Sequence, residues 1–397
     1  MRYKFDRHEI AGSLGDLGTI LPLGIGMIVI NGLDPLGLFL SVGLFYIFSG
    51  IYFGVTMPVE PMKVIGAYAV ATGISLPQLT ASSLLMGIML LILGGTGAIT
   101  FLGRYIPKPV IRGVQLSTGV LLITQGVKLI LGTSRFQVLQ EVAEPYLSFQ
   151  AIGFLPTGIL IGIALAFVTL LLLENKRLPA ALVIVIAGLI AGLFLGNHDG
   201  LDKVKLDINI PHLLPFGFPS FVDFATALLV LALPQLPMTL GNAVIANVDL
   251  SKQYFGESSK RVTYNALCIS MALANCLAFF LGGMPMCHGA GGLASRYRFG
   301  ARTAGSNIMI GFIFVILALL LGEHVLSVFY LLPMSALGVL LLFAGSQLGL
   351  TILDIQERKA LFVVLMVLGI TLASNLAVGF VTGTALSYAL RSDRLTV

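Results

Sequence analysis

Charged side chains are scarce in this sequence: Asp, Glu, Lys and Arg make up 10% of its 397 residues, against about 25% in ordinary soluble domains. That scarcity excludes a string of soluble domains, although the length would accommodate two or three. Tryptophan is absent, so an interfacial aromatic belt must come from the 11 Tyr and 25 Phe. Only three cysteines occur, Cys268, Cys276 and Cys287, all in or beside apolar segments. They suggest neither a disulfide framework nor a CxxC metal site. No HExxH, GxSxG or paired His/Asp cluster supports a membrane-embedded enzyme. The net charge of +5 and pI near 9.1 do not point to nucleic acid, because the bases sit in short clusters between apolar runs.

What is abundant is apolar: 57% of the residues are hydrophobic and the mean hydropathy is +0.99. Runs near 20 residues recur, long enough for a hydrocarbon core of about 30 Å. The chain therefore reads as an all-α polytopic membrane protein, its partner the lipid bilayer. Its 46 glycines suit close helix packing and broken helices. The segment Met1 to Glu9 carries Arg2, Lys4 and Arg7 and leads into an apolar stretch with Asp16, Pro22 and no small-residue cleavage site. A retained first span fits this better than a signal peptide.

Hydropathy and helix breakers predict spans at about 11–31, 36–55, 61–74, 79–101, 110–131, 151–173 and 178–196. A polar connection with Asn197, His198, Asp199, Pro211, Pro215 and Pro219 follows. A second set lies at about 222–244, 262–282, 287–295, 303–322, 325–348, 359–372 and 375–390. Spans 3 and 10 are too short to cross alone, and spans 13 and 14 are also short. With the N-terminus in the cytoplasm, alternation puts 18 of the 23 Lys and Arg on the cytoplasmic side, including the clusters Arg104–Lys108–Arg112, Lys176–Arg177 and Arg296–Arg298–Arg302. The exceptions are Lys63, Lys128, Arg135, Lys203 and Lys205. This asymmetry supports fourteen spans with both termini inside.

An internal repeat runs through the same pattern. Met57-Pro58 and Met284-Pro285 are offset by 227 positions; Tyr105-Ile106-Pro107 resembles Tyr330-Leu331-Leu332-Pro333, and Gly113-Val114 matches Gly338-Val339, both at 225. Seven spans is an odd number, so the second copy lies inverted, a plan that recurs in secondary transporters with discontinuous helices at midplane.

The two interruptions are Met57-Pro58-Val59-Glu60-Pro61-Met62-Lys63 and Met284-Pro285-Met286-Cys287-His288-Gly289-Ala290-Gly291-Gly292. Broken helices survive in a membrane only when buried in protein or lining a wet cavity. A helix start leaves N–H groups unpaired and carries roughly half a positive charge, so two starts facing one spot would hold an anion. One helix is expected to begin near Val59 to Met62, where Pro61 is tolerated, and the other near Cys287 to Gly289 and Ala290, where glycine admits close approach. Glu60, Lys63 and His288 lie beside the expected site. Glu60 and Lys63 either neutralise each other and hold span 3 in place, or serve substrate and proton; intramembrane ionisable groups favour function. His288 is equally a hydrogen-bonded structural residue, and Cys287 is a packing residue before it is a ligand. In span 1, Asp16 and Thr19 interrupt an otherwise uncharged stretch. In span 8, Gln235, Thr239 and Asn242 share one face if the helix is continuous, which Pro234 and Pro237 put in question. Helix-to-helix hydrogen bonding is the plainer role for these polar groups.

The runs GSLGDLGTILPL (12–23), MPVEPMK (57–63), LPQLPMTLGNAVIA (233–246) and MPMCHGAGGLASRYRFGAR (284–302) resemble the signature blocks of the molybdate transporter family, a branch related to the sulfate permeases. The likeness covers nearly the whole chain. It implies the seven-plus-seven inverted-repeat fold shared with uracil permeases, with spans 1–4 and 8–11 as core (1–101 and 201–322) and spans 5–7 and 12–14 as gate (102–200 and 323–397). The end at Val397, just after the last span, implies no C-terminal regulatory domain. The implied cargo is molybdate, with tungstate and sulfate as alternatives, and the implied motion is core against gate. A homodimer and a cell inner or plasma membrane are also expected. A dianion moving inward against an inside-negative potential costs about 4.6 kcal/mol per 100 mV. A coupling proton is therefore expected in place of any other cofactor, with Asp16, Glu60 and His288 as acceptors. A nucleobase cargo or an anion channel would use the same fold.

Overall fold

Aspartate, proline and glycine set where the helices begin and end. Asp34 accepts from the N–H groups of Leu36 and Gly37, Pro35 takes the first helical position, and Gly54 closes α3 (Pro35–Phe53) at φ 73°. That conformation suits a residue without a side chain. The computed structural model describes residues 3–99, 107–173, 175, 178–196 and 207–392. Arg2, Arg104, Lys176, Arg177, Lys203, Lys205 and Arg394 of the charge pattern, Asn197 to Asp199, and Tyr105-Ile106 of the repeat match lie outside the described residues, as do the expected boundaries near 101 and 200.

The first span is two helices, α1 (Arg7–Ser13) and α2 (Leu17–Val29), bent by 42°. At the bend, a Cβ on Gly15 would come within 2.8 Å of the Arg296 backbone, so the absent side chain is what lets another segment press in. After α3 come β1 (Glu60–Pro61), α4 (Lys63–Thr72), α5 (Leu76–Thr96) and α6 (Lys108–Leu131). A small hairpin, β2 (Ala151–Ile152) with β3 (Leu155–Pro156), precedes α7 (Thr157–Leu172) and α8 (Ala180–Leu195). The long α9 (Phe221–Ser259) is followed by α10 (Tyr264–Leu281), β4 (Met286–Cys287) and α11 (Ala290–Phe299). The chain closes with α12 (Gly305–Leu321), α13 (Met334–Gly349), α14 (Arg358–Ala373) and α15 (Leu376–Ala389). Among the described residues, six helices are long and apolar enough to cross a membrane, or seven with the bent pair as one. Five further apolar helices have 10–17 residues.

Pro234 and Pro237 do not break α9. The helix runs through them with π-helical turns at Ala227–Ala232 and Thr239–Ala246 on either side. Prolines remove ladder bonds, and wider turns are a common accompaniment of such irregularity.

Helices pair through glycine. α3 lies on α12, where a Cβ on Gly43 would stand 2.7 Å from the Gly311 carbonyl oxygen; α6 lies on α13, with Gly119 facing Gly345 and Gly126 facing Gly338 equally closely. Small residues let backbones approach and supply the packing that apolar lipid cannot drive. Between these pairs, β1 and β4 form a two-residue antiparallel ladder, Glu60 opposite Cys287 and Pro61 opposite Met286. Glu60 and Cys287 are 227 positions apart and Pro61 and Met286 are 225 apart, as an antiparallel register requires. Met57, Val59, Met62, Val64 and Ile65 around the ladder are fully buried.

Candidate functional site

Pro58, Pro61 and Pro285 keep the two interrupted segments extended, because a proline and its predecessor both resist helix. Extended backbone in an apolar interior must find partners. The ladder supplies one: the Met62 N–H donates to the Pro285 carbonyl at 2.8 Å. Three buried asparagines supply more. Asn307 on α12 brackets Met57, accepting from its N–H at 2.9 Å and donating to its carbonyl at 2.7 Å. Asn275 on α10 does the same for Met286 at 3.0 and 2.8 Å, and Asn247 on α9 donates to the His288 carbonyl at 2.7 Å.

The two short helices start differently. At α4, the Gln235 side-chain oxygen accepts from the N–H groups of Val64 and Ile65 at 2.9 and 3.3 Å, and its amide donates to Thr239 at 2.9 Å. Gln235 and Thr239 thus share a face, as expected, and that face caps α4. At α11, the N–H groups of Ala290, Gly291 and Gly292 have no partner among the described residues. The expectation of two bare helix starts is therefore corrected: one is capped by a side chain, and one is open. Asn242 joins the open one, since a Cβ on Gly289 would lie 3.4 Å from its amide nitrogen.

Glu60 packs on the open start. A Cβ on Gly289 would overlap its Oε2, and one on Gly292 would come within 2.9 Å of its carboxyl carbon. Lys63 Nζ lies 3.2 Å from Glu60 Oε2, although that oxygen accepts no well-directed hydrogen bond. Both line a cavity of about 430 Å³ with Asp16, Thr19, Gly291, Gly292 and Ser295, closed on the far side by α7, α8 and α13. Val59, Met62, Cys287 and Ala290 are buried beside it. Cys287 Sγ is 3.9 Å from the Pro61 carbonyl oxygen, a contact typical of a packing residue.

Asp16 and His288 are tied down. Arg296 is fully buried and donates to Asp16 at 3.1 Å, to Thr56 at 2.9 Å, to the Ser13 carbonyl, and to Ser306 and Asn307. Asp16 also accepts from the Val59 N–H at 3.2 Å. Arg296 was expected among the cytoplasmic bases; it lies inside because α11 continues to Phe299 and turns it inward. His288 Nδ1 sits 2.7 Å from the Pro58 carbonyl oxygen and Nε2 2.9 Å from the Ser270 hydroxyl, between Phe45 and Phe53. A carbonyl only accepts, so Nδ1 carries a hydrogen. Sequence reasoning missed Arg296, Asn247, Asn275, Asn307 and Ser270; asparagines inside apolar runs were the available signal.

Set beside known proteins, the sequence matches the family described as "Molybdate transporter of MFS superfamily" over residues 8–122 and 227–348. Molybdate transporter 2 of Arabidopsis thaliana is 31% identical over 96% of this chain and 87% of its own length. The putative sulfate transporter YvdB of Bacillus subtilis (strain 168) is 23% identical over 99% of this chain and 74% of its own. In three dimensions the chain is similar to SLC26A9, with a TM-score of 0.68 at 13% identity, covering 97% of this chain and 65% of that one. That likeness assigns the fold, which is of sulfate-permease type.

Proposed function

The chain belongs to the molybdate transporter family, and from that premise we propose that it is a secondary active transporter that imports a tetrahedral oxyanion, molybdate before tungstate. It is an integral membrane protein. The observation that carries the proposal is the start of α11: the unpartnered amides of its first turn, the positive end of a helix, lie at a cavity lined by Gly291, Gly292 and Lys63. A compact dianion suits that arrangement better than a flat nucleobase, which would want an apolar slab and a paired amide or carboxylate.

With α1 and α2 taken as one bent span and the five-residue helices Arg135–Leu139 and Val325–Phe329 set aside, the described helices are compatible with a seven-plus-seven reading. The antiparallel ladder between β1 and β4 is what an inverted repeat would give where its copies meet. In this reading α4 and α11 are the half-helices, and the first four spans of each repeat form the core that moves against the gate. The cavity reaches Asn175, Leu178 and Arg298, near the bases expected on the cytoplasmic side, which supports access from that side.

A proton carried inward with the dianion would offset the cost of moving it against the membrane potential. Asp16 is engaged by Arg296 and His288 by Pro58 and Ser270, whereas Glu60 is held only by the Lys63 ammonium, which makes it the proposed acceptor. A sulfate cargo is the second reading, favoured by the Bacillus relative. Uptake of labelled molybdate into proteoliposomes, with and without an inward proton gradient and with tungstate, sulfate or uracil as competitor, tests all of this. Saturable uptake that rises with the gradient and is blocked by tungstate is expected; uptake blocked by uracil alone would overturn it.

A further inference from the structure

The buried carboxylates of this protein are held in two ways. Glu9 accepts from the N–H groups of Arg302 and Thr303, Glu144 from those of Met334 and Ser335, and Asp16 from Val59 and Arg296. Glu60 has no such tie. Its side chain is 1% exposed, and its Oε2 is the only buried carboxylate oxygen without a hydrogen bond among the described residues. What faces it is the first turn of α11, with the free N–H groups of Ala290, Gly291 and Gly292, and the Lys63 ammonium. Those are the groups a bound oxyanion would use.

We propose that Glu60 is a tethered stand-in for the substrate: its carboxylate fills the anion seat at the start of α11 when the cavity is empty, and gives the seat up by taking a proton when a tetrahedral dianion enters. The inference rests on the reading of this cavity as the oxyanion site. Held by charge and not by directed hydrogen bonds, the carboxylate is free to leave once neutral. An ionised Glu60 and a dianion cannot share one ammonium and one helix start without strong repulsion. Binding and protonation are therefore linked, about one proton per anion.

The other titratable groups near Glu60 do not take over this role. Lys63 is its partner on the same segment. Asp16, from the α1–α2 bend, is committed to Arg296, and His288 to Pro58 and Ser270. Cys287 faces Glu60 across the ladder and packs on Pro61. Tyr46, from α3, donates to the Val59 carbonyl. Arg298 lines the outer part of the same cavity.

The test is calorimetric binding of molybdate to the detergent-purified full-length protein at about pH 6.5, 7.5 and 8.5, where molybdate stays a dianion, in two buffers of different ionisation heat. For the wild type, the apparent Kd should weaken by about tenfold per pH unit across this range, with about one proton taken up per anion. Glu60→Gln should bind at the highest pH as tightly as the wild type at the lowest, with no proton uptake. A wild type whose affinity is flat in pH and takes up no proton overturns the proposal, even if the variant does not fold. A folded Glu60→Gln protein that fails to bind at any pH, beside a wild type that binds, also overturns it. If neither protein binds molybdate, it is the oxyanion reading beneath the proposal that fails.

Discussion

The two short helices α4 and α11 each follow one strand of the β1–β4 ladder, yet they are secured at opposite ends. α4 is held at its start, where Gln235 takes two of its N–H groups. α11 is held at its far end, where Arg296 is sunk into a network with Asp16, Thr56, Ser306 and Asn307. The difference teaches how two similar helices can divide their labour. Satisfying α4 internally frees it to contribute a side chain, Lys63, while anchoring α11 from behind leaves its amides bare for a ligand. The proposed anion site needs one open helix start and one cation, and does not need two equivalent ends.

The comparison can be broken first at the anchor. Arg296→Met leaves Asp16 charged and unpaired in the interior, which should cost about 3–5 kcal/mol and appear as a collapse of the melting temperature. Arg296→Met combined with Asp16→Asn should recover most of that loss, because the amide oxygen still accepts from Val59. If the single variant melts like the wild type, the anchor is not what holds α11.

A substitution in the open turn tests the other half. A Cβ at Gly291 would meet only Lys63 Nζ, at 3.6 Å, so Gly291→Val enters the anion seat without striking the packed interior. Molybdate binding should weaken by about a hundredfold, a cost of about 2.7 kcal/mol, with the melting temperature little changed. Full binding by this variant would place the anion elsewhere.

Uncapping α4 should do the reverse. Gln235→Leu strands two buried N–H groups, at a cost of about 1–3 kcal/mol of stability, while molybdate still binds. A folded variant that loses affinity more than stability would make α4 a ligand and cancel the asymmetry.

The smallest effect is expected at a partly exposed charge cluster at the start of α6 and beyond the end of α13. Arg112 and Lys108 donate to Asp354 and hold its carboxyl well below the usual carboxylate range, chiefly through the Arg112 hydrogen bond. A depressed carboxylate contributes stability above its unfolded pKa and loses it as pH falls through the folded one. Because Asp354 is 39% exposed, solvent screening limits the pair, and Asp354→Asn should cost under about 1 kcal/mol at neutral pH. The cost should vanish in strong acid, as a melting series across pH would show.

Much of this was legible in the chain itself. The Met-Pro interruptions announced two extended segments, and these meet as the β1–β4 ladder. Gln235 and Thr239 declared a shared face. The cap they form was hidden, because its acceptor and donors are about 170 residues apart and periodicity carries no information about such distances. Arg296 was misread for a related reason: counting bases along a sequence cannot separate an arginine at a membrane surface from one turned inward onto an aspartate 280 residues away. The π-helical turns that carry α9 past its prolines depend on packing around them and left no local signature.

The central claim is that α11's bare amides and Lys63 share one dianion. A structure of the protein soaked with tungstate, whose heavy atom is unmistakable in density, tests it most directly. The account predicts a single strong peak within hydrogen-bonding reach of the Ala290 to Gly292 nitrogens and the Lys63 ammonium, with the Glu60 carboxylate turned out of the seat. A peak at the Gln235-capped start of α4, or one beside a Glu60 that has not moved, would contradict it.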